Sequence, residues 1–141
     1  MYIKLSNGQP EKYSIGQLRR DNSNVSFPKH PSDSLLAEWD VYPLATADRP
    51  AYDSLTQTCK EGTPAQLVGV WTQQWVVENK PQEEAENNVR SRRNGLLSES
   101  DWTQVADAPV DQAAWANYRQ ALRDITSQEG FPYNVTWLET P

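Results

Sequence analysis

Trp115-Ala116-Asn117-Tyr118-Arg119-Gln120-Ala121-Leu122-Arg123-Asp124-Ile125 is the stretch whose reading decides the fold class. Trp115, Tyr118, Leu122 and Ile125 recur at i, i+3, i+7 and i+10, the spacing of one α-helical face. Ala114 and Ala121 widen that face with small side chains. Pro109 or Asp111 opens this helix, which is expected from Asp111 to about Ser127. Gly130 ends the region, and Phe131-Pro132 leads into an extended piece from Tyr133 to Leu138. Ahead of it, Ser100-Asp101 places a capping side chain before Trp102.

A second helix is expected upstream, from Pro81 to about Leu97. Pro81 suits the first helical position, and Glu83, Glu84 and Glu86 complement the positive end of the helix dipole. Its apolar residues are few: Ala85, Val89 and Leu96, with Arg92 and Arg93 between them. Such a stripe is too narrow for a core helix. It fits either a solvated helix laced by ion pairs or a helix that packs on another protein chain.

The N-terminal part reads as short strands and short helices. Tyr2 to Leu5 alternate as a strand, and Asn7-Gly8 turns the chain. Ser14 can cap a helix over Ile15 to Arg20, and Ser32 or Asp33 a second one from Ser34 to Trp39. Val41 to Leu44 reads as a strand or an edge strand, because Pro43 cannot donate to a ladder. Gln66 to Glu78 has the highest β propensity, and it is expected to pair as a hairpin with Tyr52 to Cys59. Trp71 and Trp75 would share one face of that strand. The expected class is α+β: a small antiparallel sheet with short helices over residues 1–80, then a linking helix and a helical module over residues 81–141.

The totals narrow the function. Of 141 residues only 37% are hydrophobic, and the mean hydropathy is -0.80, so the aliphatic core is thin. Six Trp and six Tyr partly compensate, and an excess of Trp, Tyr and Arg is also the composition of interface hot spots. A chain of this kind is either thinly stable alone or completed by a partner, and the second is expected here. The net charge of -6 disfavours phosphate backbones, so nucleic acid is not expected. The single Cys59 excludes an internal disulfide. No apolar run approaches the ~20 residues that cross a bilayer, and Met1 to Leu5 does not read as a signal peptide. A cytosolic protein without membrane contact is expected.

Side chains for catalysis are scarce. His30, the only histidine, lies between Lys29 and Pro31 and reads as a surface residue. Cys59 reads as a small buried hydrophobe. Asp40, Asp48 and Asp53 lack the spacing of a calcium loop. Arg90, Arg92 and Arg93 form the one dense basic patch, without the interleaved aromatics that single strands stack on. No catalytic residue, metal ligand or cofactor site is assigned, and the chain is read as a non-enzyme.

The C-terminal constellation resembles the family of bacteriophage tail assembly chaperone proteins, which includes tail-fibre assembly accessory proteins. The resemblance rests on Arg93-Asn94-x-Leu96-Leu97, Ser100-Asp101-Trp102-Thr103-Gln104, Trp115-x-x-Tyr118-Arg119-Gln120-x-Leu122-Arg123-Asp124, and Gly130-Phe131-Pro132 ahead of Val135-x-Trp137. These fragments span Arg90 to Pro141. Ile15-Gly16-Gln17-Leu18-Arg19-Arg20-Asp21 and Gly69-Val70-Trp71-x-Gln73-x-Trp75-x-Val77 are similar to sequences found upstream of that module in phage tail proteins. The resemblance implies a partner, a tail-fibre or baseplate protein, met in the cytoplasm of an infected bacterium and escorted or held in the virion tail. It leaves self-association open. The surface expected to meet the partner is the helix around Ala85, Val89, Arg92 and Arg93, then Trp71 or Trp75. Two alternatives carry tests of their own: a tail-associated glycan or cell-wall hydrolase using Asp101, and a neck protein contacting DNA through Arg90, Arg92 and Arg93.

Overall fold

The computed structural model describes residues 1–141 as an α+β protein, in agreement with the class expected. It forms two compact units. Their boundary is not a single cut near residue 80: Met1–Pro50 and Cys59–Val76 make one unit, Ala51–Thr58 and Val77–Pro141 the other.

In the first unit β1 (Tyr2–Ser6) pairs antiparallel with β2 (Gln9–Tyr13) on one side and with β3 (Val41–Pro43) on the other. Asn7 and Gly8 between β1 and β2 both have positive φ, 52° and 78°, the requirement of a two-residue hairpin turn. Pro10 and Pro43 both fall on edge strands, where a missing N–H removes nothing from the inner ladder. Two short helices between β2 and β3 each start at a serine cap. Ser14 accepts from the Gln17 N–H at 3.1 Å and starts α1 (Ile15–Asp21); Ser32 accepts from the Leu35 N–H at 3.3 Å and starts α2 (Asp33–Ala37). Leu18, Leu36 and Val41 are fully buried, with Tyr2, Tyr13, Ile15, Phe27 and Trp39 packed around them. Phe27 meets Trp39 edge to face at 5.3 Å.

The expected long strand Gln66–Glu78 is broken. The region holds four strands: β4 (Gln57–Glu61), β5 (Ala65–Leu67), β6 (Val70–Thr72) and β7 (Trp75–Asn79). β5 pairs antiparallel with β6, and β4 pairs with β7. The break is at Val68-Gly69, whose φ values of 50° and 80° again make a two-residue turn. Strand propensity speaks for Val68, but the glycine beside it lets the chain reverse, and Val68 ends fully exposed at the tip. β4 enters from the C-terminal unit and ends in the N-terminal one, and β7 carries the chain back.

The second unit is built on α3 (Gln82–Glu99) and α4 (Gln112–Arg123), which pack together. Pro81 is the cap of α3 rather than its first residue; Glu83 and Glu84 lie in the first turn, and Lys80–Glu84 and Glu86–Arg90 make i,i+4 ion pairs. Asp111 caps α4, accepting from the Ala113 and Ala114 N–H groups. The segment Ala51–Thr58 joins this unit because it is tied to the start of α3. Asp53 closes a tight turn on the Leu55 N–H and the Thr56 hydroxyl, Thr56 O accepts from the Lys80 N–H at 2.8 Å, and Asn88 Nδ2 donates to Leu55 O at 2.8 Å. After α4 a 3-10 helix (Asp124–Ser127) buries Ile125, and an extended tail follows. Gly130 is required at its bend, since a Cβ there would lie 2.1 Å from Asn134 O.

Two outcomes are expected. A β-branched residue in the left-handed region is strained by about 1 kcal/mol or more, and Asn-Gly is the preferred pair for this turn. Val68→Asn should therefore raise the melting temperature by about 2–4 °C in a calorimetric scan. Tyr13 donates to the Asp21 carboxylate, and burial first, then that hydrogen bond, pushes its pKa up to about 12. Between the unfolded value near 10 and the folded one the native state keeps a proton that the unfolded chain has lost, so stability falls as the pH rises through that window. Tyr13→Phe should flatten this alkaline loss in urea titrations at pH 9 and above.

Candidate interaction surface

The end of α3 is where the C-terminal unit organises its surface. The last carbonyls of a helix have no partner within it. Here Ser100 Oγ donates to Leu96 O at 2.7 Å and to Leu97 O at 3.1 Å. The Arg119 guanidinium, buried on α4, donates to Leu97 O at 2.6 Å, to Ser100 Oγ at 2.8 Å and to Asp101 Oδ1 at 2.6 Å. A cation at this end of a helix also meets the negative pole of its dipole. Thr103, fully buried in the short 3-10 helix Asp101–Gln104, returns a hydrogen bond to Ser100 O at 2.6 Å.

This knot sets a row of rings. Trp102 lies beyond Asp101 and remains 51% exposed. Its ring is 6.3 Å from that of Trp115, and Trp115 stands edge to face on Tyr118 at 5.6 Å. The row runs into a cleft of about 700 Å³. Leu96 and Arg92 of α3 and Tyr118 of α4 line one side, Asp53-Ser54-Leu55 another, and Val135, Trp137, Leu138 and Thr140 of the tail a third. A smaller lobe of about 170 Å³, lined by Trp115, Glu99 and Ser100, shares Leu96, Tyr118 and Thr140 with it. The tail is held in place by Gln128, whose side chain both accepts from the Thr136 N–H and donates to Thr136 O, at 2.7 and 2.9 Å. Tyr133 adds a hydrogen bond to Lys80 O at 2.8 Å.

The six residues expected at an interface are scattered. Ala85 and Val89 are fully buried, so neither is the outward contact expected of them. The narrow stripe of α3 is a core stripe after all, with Ala85 and Val89 one turn apart on the face that the unit encloses. Arg93 is half-buried and spends its guanidinium on Asn94 Oδ1. Trp75 is half-buried in the N-terminal unit, donating to Ala47 O at 2.9 Å beneath the Arg49 guanidinium. Trp71 is half-buried in the same unit, and its indole N–H is enclosed without an acceptor. Arg92 alone lines the cleft.

The rings of the row and of the cleft, Trp102, Trp115, Tyr118 and Trp137, are not among the six residues expected at an interface. Of these only Tyr118 is buried. The tail carried no helical or strand periodicity that could have placed it beside Tyr118. Elsewhere the placements agree with expectation: His30 is exposed and Cys59 is buried. Asp101 is held by Arg119, while Arg90 pairs with Glu86 at 2.8 Å and lies over the Phe131 ring at 5.3 Å.

Residues 86–141, which carry the Arg119 knot and the row of rings, match the family model of the phage tail assembly chaperone protein. The resemblance read from Arg90 to Pro141 is borne out. No curated protein and no solved structure matches the chain. That match supports a role in phage tail assembly, and every aromatic of the row and of the cleft belongs to the matched segment. Asp53-Ser54-Leu55, the wall supplied from outside the matched segment, completes the cleft. No helix is long and apolar enough to cross a membrane.

Arg119→Ala leaves a carbonyl, a hydroxyl and an aspartate without their charged donor. The expected loss is about 3 kcal/mol in urea denaturation, given ~1.5–3 kcal/mol per bond to a charged group and the screening of Asp101, 67% exposed. Arg119→Lys should recover less than half of it, since an ammonium cannot span three acceptors with a planar fork.

Proposed function

We propose that this chain is a non-enzymatic assembly factor that binds a phage tail-fibre or baseplate protein in the cytoplasm of the infected bacterium. The observation that carries the reading is the Trp102–Trp115–Tyr118 row, which leaves a large aromatic half in solvent at one end and reaches the cleft through Tyr118 at the other, every ring lying in the segment that matches the family model. Trp and Tyr side chains in such a position are what interfaces use as anchors. A chain with few aliphatic residues gains stability when a partner covers its rings, and that gain favours association. The contact surface we assign is therefore the row and the cleft, with Arg92, in place of the outer face of α3.

Co-expression of the tagged chain with each tail-fibre and baseplate protein of its phage, one at a time, tests the reading. One of them should co-purify in a simple ratio. Trp102→Ala should weaken that complex at least tenfold, about 1.4 kcal/mol, with an unchanged circular dichroism spectrum. Capture of none of them by the wild-type chain sinks the proposal. Mass spectrometry of purified virions then separates an escort that departs from an adaptor that stays.

A further inference from the structure

We infer that the cleft takes a particular kind of segment from its partner: an apolar stretch of peptide that carries one aspartate or glutamate side chain. This rests on the reading of the cleft as a binding surface and says what fits it. Its walls are apolar and aromatic, with Leu55, Leu96, Tyr118, Trp137 and Leu138 facing the space. Two charged residues sit among them. Asp53 has its carboxylate turned back on its own turn, accepting from the Leu55 N–H at 2.9 Å and the Thr56 hydroxyl at 3.1 Å. Arg92 makes neither an ion pair nor a hydrogen bond, whereas Arg90 and Arg93, its neighbours on α3, are both engaged.

An unpaired guanidinium beside apolar walls is the complement of a carboxylate on an apolar ligand, and a planar donor fork can hold both carboxylate oxygens. The surroundings sharpen the selection. The chain carries a net charge of -6, so a strongly acidic partner is repelled overall. Glu99 in the adjoining lobe adds to that repulsion locally. The arrangement thus admits a single carboxylate at one place and disfavours a run of them, which is specificity by charge placement rather than by attraction alone.

The test uses the full chain and a panel of end-blocked hexapeptides, each with three or four aromatic or aliphatic residues and one Asp, paired with its Asn twin. Binding is read from tryptophan fluorescence, since Trp137 and Trp115 lie in the cleft walls. Asp members should bind about fivefold or more tighter than their twins at low salt, and the preference should shrink as salt is raised. Arg92→Gln, an exposed position, should keep the fold by circular dichroism and level the pairs. No Asp preference in the wild-type chain, or a preference that survives Arg92→Gln, overturns the inference. A dimer in light scattering that Arg92→Gln disperses would give the cleft to a second copy of the chain and overturn it equally. The panel reports on the cleft whether or not a tail protein is captured in co-expression, so the two proposals fail separately.

Discussion

A buried guanidinium fixes the C-terminal unit. Arg119 spends its donors on the end of α3 and on the residues just after it, where a helix otherwise leaves carbonyls unpaired. Because it sits on α4, those bonds also set how the two helices lie on each other. Tyr118 precedes it and Trp115 lies one turn before, so their positions follow from the same constraint. On the other side, Asp101 leads directly into Trp102. One polar knot therefore decides the placement of three rings that make no hydrogen bond to it. The Ser-Asp-Trp-Thr-Gln run reads in this light as a structural motif with a binding edge: Ser100, Asp101 and Thr103 turn inward to the knot, and Trp102 is left outward.

Much of the fold was legible because its signals are local. Ser14, Ser32 and Asp111 announce their helices through the side-chain caps they form. Asn7-Gly8 announces its turn, and the stripe of α4 its periodicity. The failures are non-local. Val68-Gly69 is a turn inside a run of strand formers, and nothing in propensity shows that a valine accepts positive φ there. Ala85 and Val89 looked too few for a core because the turn of Asp53 to Thr56, which attaches to α3 through Asn88 and to the residues just before it through Lys80, lies some thirty residues earlier. The cleft was hidden for the same reason: its walls come from three separate parts of the chain. Residue type told which side chains mattered, and only the tertiary path told which of them face outward.

The protein also shows how a sparse core and a binding surface draw on the same residues. The fully buried side chains are small or aliphatic, Leu18, Leu36, Val41, Ala85, Val89, Leu122 and Ile125 among them. No tryptophan is among the buried residues. The tryptophans are instead partly covered or exposed, Trp102 most of all at 51%. That division gives the chain enough burial to hold its shape and keeps its most adhesive groups available.

The route of the chain has a consequence for how the molecule can be cut. The stretch that carries the family signature begins at Glu86, yet the unit it belongs to also needs Ala51–Thr58 and the strand and cap that precede α3. Thr56 O, Leu55 O and Lys80 O each receive a hydrogen bond from within that unit, and all three come before the signature. The matched stretch and the folding unit are thus different parts of the chain. A gene fusion that transplanted the signature alone would carry the recognisable letters without the turn and the buried Ala85 that complete them, and during synthesis Ala51–Thr58 must wait for later residues to emerge before its unit can close.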